Sequence, residues 1–231
     1  MHLPAVTVTM TTCNRLRLTQ ESLRTFFQFN SDVKIRSFKI VVDYFNATFA
    51  RIISEELPNV QLLRLVSNGT KPDKRMIDNI QLLFTHVLQD GVDFWVHLED
   101  DWNFVKSSFI TVAMKVFDSI GNSSSIWQVM GREPNTFLPK VKDTFGWQKT
   151  ADNMTFSVLN MLPGGGGHCG LFTTNDSVIR VEKAKKWVGD FSKINSEWET
   201  SRMIRTKYGS QVAILKHHRY YHTGFNSSTM H

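Results

Sequence analysis

The chain holds only two cysteines, Cys13 and Cys169, far apart in sequence. A disulfide framework or a thiolate zinc site would need more, so neither is expected and a reducing, intracellular setting fits best. No apolar run approaches the ~20 residues that a membrane-crossing helix needs, so no transmembrane segment is expected. The opening MHLPAVTVTMTTCNR lacks a basic flank before its apolar part and passes straight into strand-like alternation. It does not read as a signal peptide, and the expected location is cytoplasmic. The Asn-x-Ser/Thr triplets at Asn46, Asn68, Asn122 and Asn226 are then read as chance. A strand followed by a Gly-rich loop and Lys is missing too, which excludes a P-loop nucleotide-binding protein. Internal repeats and an interdomain linker are also lacking. Acidic residues are in the minority, and the net charge of +6 suits an anionic ligand such as a diphosphate, an acidic glycan or nucleic acid. The basic residues are dispersed, however, with small clusters only at Lys183, Lys185 and Lys186 and from Lys216 to Arg219. No recognised nucleic-acid module accompanies them, so nucleic acid is not the expected partner.

What remains is an ordinary globular composition, 41% hydrophobic and 12% aromatic over 231 residues, enough for one large domain or two closely fused halves. The first half alternates strand and helix signals. AVTVTMT at 5–11 is β-branched and apolar, as a buried strand should be. A helix over Leu18 to Phe29 follows, with Leu23, Phe26 and Phe27 inward and Thr19 as its N-cap. FKIVVD at 38–43 is a second strand ending on an acid. Asn46 caps a short helix that Pro58-Asn59 stops. Val60 to Val66 is a third strand, running into the turn at 67–70. A long amphipathic helix with Ile77, Ile80, Leu83, Phe84, Val87 and Leu88 inward ends at Asp90-Gly91. DFWVHL at 93–98 is the fourth strand. This alternation predicts an α/β fold with a mostly parallel central sheet and ligands at the carboxyl ends of the strands.

The second half is less regular. Phe109 to Ile120 reads as a helix, Ile126 to Met130 as a strand and 131–155 as a long loop region. Asp176 to Trp187 and Ser196 to Lys207 read as helices, with strand-like VAIL at 212–215.

The signal that carries chemistry is VHLEDDW at 96–102. Side chains alternate along a strand, so Glu99 and Asp101 are expected to leave its end on one side and Asp100 on the other. Two such carboxylates suit Mg²⁺ or Mn²⁺, which prefer oxygen ligands. An acidic turn of the same composition can also be plain solvated surface.

Taken with their order, these motifs resemble the nucleotide-binding half of GT-A glycosyltransferases, especially the family 2-like group. VTVTMTTCNR resembles that group's opening strand and loop; Thr12, Asn14 and Arg15 match it, while Thr11 and Cys13 stand where Pro and Tyr are commoner. IVVDY resembles the segment whose acid, here Asp43, bonds the base. LEDD resembles the Asp-x-Asp motif, with Glu99 in place of the first Asp. The resemblance implies a Rossmann-like single domain, with 1–105 holding the nucleotide sugar and 106–231 the acceptor. It implies transfer of a sugar from a nucleoside-diphosphate donor, UDP-linked by preference, to a hydroxyl of a glycan or glycoprotein, with Mn²⁺ or Mg²⁺ bound and inversion at the sugar. In that reading Asp101 is the direct metal ligand, Glu99 reaches the ribose or a metal-bound water, and Thr11, Thr12, Asn14, Arg15, Asp43, Arg75 and Asp100 line the donor site. Lys74 and Arg75 stand where basic residues are kept near the donor, although a solvated helix start explains them too.

The same resemblance places the general base in NSEWETSR at 195–202, with Glu197 first and Glu199 second, and a late metal-binding His in KHHRYYHTG, where His222 fits best. His217 and His218 read as surface residues. Gly164 to Gly167 allow close backbone approach to substrate oxygens or form a plain loop. Trp102 and Trp198 are candidate sugar-stacking walls, and Trp95 reads as core. Two other readings stay open: a metal-dependent nucleotidyltransferase or phosphoesterase, and a non-catalytic nucleotide- or carbohydrate-binding module.

Overall fold

The computed structural model describes residues 5–43, 46–64, 72–121, 125–131, 147–150, 153–159, 176–187 and 211–223. Strand β1 (Val6–Thr12) alternates Val6, Val8 and Met10 with Thr7 and Thr9, and all five are buried. A strand covered on both faces belongs in the middle of a sheet with helices on either side. Helix α1 (Leu16–Phe29) packs its Leu23 and Phe26 into the core, and β2 (Ile35–Val42) then pairs parallel to β1. Helix α2 (Ala47–Glu56) is capped as expected by Asn46, whose side-chain oxygen accepts the Thr48 and Phe49 N–H groups at 2.8 and 3.3 Å. Strand β3 (Val60–Arg64) pairs parallel to β2. Helix α3 (Pro72–Asp90) ends at Gly91, whose φ of +65° suits glycine. Strand β4 (Phe94–Glu99) pairs parallel to β1 on its other side.

The remaining elements are β5 (Trp102–Phe104), α4 (Phe109–Ile120), β6 (Ile126–Met130), β7 (Trp147–Lys149), β8 (Thr155–Leu159), β9 (Ser177–Arg180), α5 (Val181–Trp187), β10 (Gln211–Leu215) and β11 (Tyr220–His222). A nine-stranded sheet orders them β3-β2-β1-β4-β9-β6-β10-β8-β7, so both sequence halves share one sheet. Strand β9 is antiparallel to β4 and β6, and β8 to β10 and β7; the others run with β1. The sheet is therefore mostly parallel, as expected. A separate two-stranded antiparallel sheet joins β5 to β11.

Three expectations need correction. The first helix starts at Leu16 rather than Leu18, and Thr19 does not cap it; the Thr19 hydroxyl is buried and donates to the Arg15 carbonyl at 3.0 Å. Residues 177–180 form a strand, not a helix, because SVIR is buried on every side between β4 and β6. The stretch read as loop holds β7, and β8 begins at its end. The helix expected over Ser196 to Lys207 lies outside the described residues.

Candidate active site

The carboxyl ends of β1, β2 and β4 meet at one edge of the sheet, and the first loop is built to face them. Asn14 sits at φ +62°, a left-handed conformation that Asn tolerates better than most residues. That reversal turns the chain from β1 into α1 and brings a backbone donor, Cys13 N–H, within 3.3 Å of Asp100 Oδ2. The same oxygen accepts the Thr12 hydroxyl at 2.6 Å and Arg15 Nε–H at 3.2 Å, while Arg15 Nη2 reaches Asp100 Oδ1. Asp100 is only 1% exposed, so its carboxylate is committed to holding this loop on the end of β4. Burial pushes its carboxyl upward in pKa, and the Arg15 and Thr12 hydrogen bonds oppose that. For Arg15, desolvation works against the charge, but Asp100 and Asp101 outweigh it and raise the guanidinium pKa.

Arg15 Nη2 also donates to Asp101 Oδ2 at 3.0 Å, and that oxygen lies 3.3 Å from His222 Nε2. Glu99 differs from the expectation. The chain turns after Glu99, strand alternation ends there, and Asp100 and Asp101 share Arg15 while Glu99 Oε2 accepts the Trp102 indole N–H at 3.0 Å. Asp43 follows β2, its N–H bonded to the Thr12 carbonyl at 2.8 Å, and Arg75 Nε from the first turn of α3 stands 3.6 Å from its Oδ1. Thr11, next to last in β1, stands beside Glu99 in register. The structure thus brings Thr12, Asn14, Arg15, Asp100, Asp101 and His222 together, with Asp43 and Arg75 adjoining. Glu197, Glu199, Trp198, Gly164 to Gly167 and the Lys74 side chain lie outside the described residues.

Trp102 is not an open sugar-stacking wall. It is 5% exposed and edge-on to both Tyr220 and His222, with centroids 5.3 and 4.8 Å away. Trp95 is core as expected, and His217 is exposed. Two residues beside the site were not singled out from sequence. Asp176, fully buried, accepts the Glu99 N–H at 2.7 Å, and burial drives its carboxyl well above the ordinary range against that hydrogen bond. Tyr220, also fully buried, donates to the Asp176 carbonyl and accepts the Gly131 N–H at 3.0 Å. An acid one residue ahead of a buried four-residue strand carried no motif that sequence could flag.

Among the described residues no three His, Cys, Asp or Glu side chains converge on a metal position. The pair Asp101–His222 nonetheless has a suitable spacing of 3.3 Å. Neighbouring ligands of an octahedral ion with ~2.1 Å bonds lie about 3.0 Å apart, and such ions are commonly held by one or two protein groups plus substrate phosphates. A carboxylate with an imidazole suits Mn²⁺.

No protein-family model and no curated protein sequence matches the chain. Solved structures do. The mannosyltransferase PcManGT from Pyrobaculum calidifontis, in complex with GDP-Man and Mn²⁺, is similar over 93% of this chain and 57% of its own, at TM-score 0.56 and 12% identity. GalNAc-T7 with UDP, GalNAc and Mn²⁺ is similar over 95% of this chain and 44% of its own, at TM-score 0.61 and 9% identity. S. aureus TarS 1–349 in complex with UDP is similar over 94% and 59%, at TM-score 0.58 and 13% identity. The chain therefore spans roughly half the length of these proteins. At such identities the likeness is one of fold, and that fold is the GT-A fold of nucleotide-sugar glycosyltransferases.

Proposed function

We propose that the chain transfers a sugar from a nucleoside-diphosphate sugar to an acceptor hydroxyl, with a divalent cation, Mn²⁺ or Mg²⁺, at Asp101 and His222. The observation that carries this is the Asp101 Oδ2–His222 Nε2 pair, 3.3 Å apart at the carboxyl edge of a GT-A sheet and joined to Arg15. Leaving-group departure puts new negative charge on a diphosphate, and a bound cation supplies the countercharge there. Arg15, one-third exposed on its side chain, can turn from the two aspartates toward the same phosphates. Asp43 offers an acceptor for the imide N–H of uracil or thymine, or a contact to guanine, steadied by Arg75 at 3.6 Å. UDP is the favoured nucleotide. Residues 1–105 supply this donor site apart from His222, and 106–231 otherwise form the acceptor side, where a glycan or glycoprotein hydroxyl gives its proton to Glu197, or to Glu199, in an inverting displacement. Three solved structures of this fold holding UDP or GDP-Man, two of them with Mn²⁺, support the donor class.

The test is a thermal-shift screen of UDP-, GDP- and dTDP-sugars with and without Mn²⁺, on wild type and Asp101→Ala. A ligand at 100 times its Kd adds about 2.7 kcal/mol to stability. Mn²⁺-dependent stabilisation by one nucleotide class, absent in the variant, supports the reading. No shift with any nucleotide, or the same shift in Asp101→Ala, removes it.

A further inference from the structure

Thr223, the residue after His222, closes on the acidic turn through its backbone and its side chain at once. Its N–H donates to the Asp101 carbonyl at 2.7 Å and its hydroxyl donates to the same oxygen at 2.9 Å. One donor leaves a peptide free to swing about the hydrogen bond; a second donor on the other lone pair removes that freedom. The Asp101 peptide is therefore fixed in orientation as well as position.

Strand β11 itself is tied to the chain on both sides of that turn. Register pairs His222 with Trp102, Asp101's neighbour, and Tyr220 with Phe104. Tyr220 donates to the Asp176 carbonyl, and Asp176 Oδ1 accepts the Glu99 N–H at 2.7 Å. The Trp102 ring fills the space between Tyr220 and His222. Two clamps thus bracket the acidic turn, one at Glu99 and one at Asp101, and His222 hangs between them. The Tyr220 clamp is buried in the core, so it serves stability first. The Thr223 hydroxyl is different. The backbone bond to Asp101 survives in any residue except proline, so the hydroxyl is the part that the side chain adds.

We propose that Thr223 is a positioning residue for cation binding: its hydroxyl, acting through the Asp101 carbonyl, holds Asp101 and His222 at the spacing of neighbouring ligands. This rests on the reading that those two side chains bind the cation. Partners one layer behind metal ligands typically contribute 10- to 100-fold in affinity, and a carbonyl contact that leaves one clamp intact belongs at the low end.

The experiment titrates Mn²⁺, alone and with UDP, GDP or dTDP in turn, against wild type, Thr223→Val, Thr223→Ser and Asp101→Ala. The readout is the Mn²⁺ concentration at half-maximal melting shift. Thr223→Val is expected to need about 10-fold more Mn²⁺, Thr223→Ser to match wild type, and Asp101→Ala to show no response. Thr223→Ala removes the same hydroxyl and replaces the valine variant if that one does not fold. Equal Mn²⁺ requirement in Thr223→Val and wild type, with Asp101→Ala still silent, overturns the positioning role and leaves the metal site standing. Equal weakening in the valine and serine variants overturns it as well, because packing rather than the hydroxyl is then responsible. A wild-type protein that responds to Mn²⁺ under none of these conditions overturns the metal site and this inference together.

Discussion

Away from the site, in the middle of β2, Lys39 is 4% exposed and its ammonium donates to Asp90, the last residue of α3, and to Ser37 Oγ at 2.7 Å. Asp90 Oδ2 also accepts the Thr7 and Ser37 hydroxyls at 2.8 and 2.5 Å. A carboxylate at a helix C-terminus opposes the helix dipole, so this cluster offsets that cost while anchoring α3. The two side chains are unequally buried, 5% exposed for Lys39 and 19% for Asp90. Removing the carboxylate strands a buried ammonium, which costs about 3–5 kcal/mol. Removing the ammonium leaves a carboxylate with two hydroxyl donors and some water, at about 1–2 kcal/mol. Asp90→Ala should therefore lose more stability than Lys39→Met. The double variant should recover much of the loss, since the uncompensated charge is gone and Thr7 and Ser37 hydroxyls, 3.3 Å apart, can bond each other. Urea unfolding with an unchanged m-value reads this directly. The pH dependence has a definite sign. Burial raises the Asp90 carboxyl, but the bonds from Lys39, Ser37 and Thr7 outweigh it and leave its pKa below the ordinary 3.8. Its contribution is thus complete above that value and is lost as pH falls through the lower folded pKa. Lys39→Met costing as much as Asp90→Ala, or a double variant worse than either, refutes the reasoning.

Other substitutions test separate parts of the fold. A Cβ at Gly131 would lie 2.8 Å from Phe109 Cε2 and 3.0 Å from Tyr220 Cε1, both on buried rings. Gly131→Ala should cost about 1–3 kcal/mol by overpacking, seen as an earlier urea midpoint. Asn46→Ala should remove the α2 cap at about 1 kcal/mol, measured the same way. Arg180 donates to the Gly121 and Phe117 carbonyls at 3.0 and 2.7 Å, ending α4. Arg180→Met should cost about 2–3 kcal/mol, with thermal melting as the check. Partial desolvation and the neighbouring Asp100 push the Cys13 thiol up to about 11. Iodoacetamide should modify it slowly at neutral pH and faster as pH approaches that value, and a bound nucleotide should protect it; rapid labelling at pH 7 would contradict the assignment.

Long buried patterns were legible in the sequence. The β1, β4 and α4 segments declare themselves through β-branched or helically spaced apolar residues, and α4 spans the expected Phe109–Ile120. Short elements were not. WNF and YYH give three residues each, too few to show alternation, so the β5–β11 sheet that delivers His222 went unseen. SVIR together with Val181 and Ala184 fits a helical spacing as well as a strand; only its neighbours β4 and β6 decide the matter. Within the site, residue types were readable and directions were not. Asp100 and Asp101 lie in a turn beyond β4, where strand alternation no longer assigns sides. Thr19 read as a helix cap because nothing local reveals that its hydroxyl would meet Thr12 at 2.9 Å.

Strand β9 has a consequence for how the chain assembles. It sits between β4 and β6, although it follows both in sequence. Until it is made, β4 carries FWVHL along an open edge, with Trp95 and Val96 unpaired on that side, and such edges invite pairing with other chains. Closing the gap means pairing β4 with a segment far along the sequence, the kind of non-local contact that slows folding. Asp176 arrives with that strand, so the carboxylate under Glu99 is delivered when the sheet closes. Assembly of the acidic turn and closure of the sheet are in this sense one event, and a nascent chain that has not reached β9 holds an incomplete site and an exposed edge together.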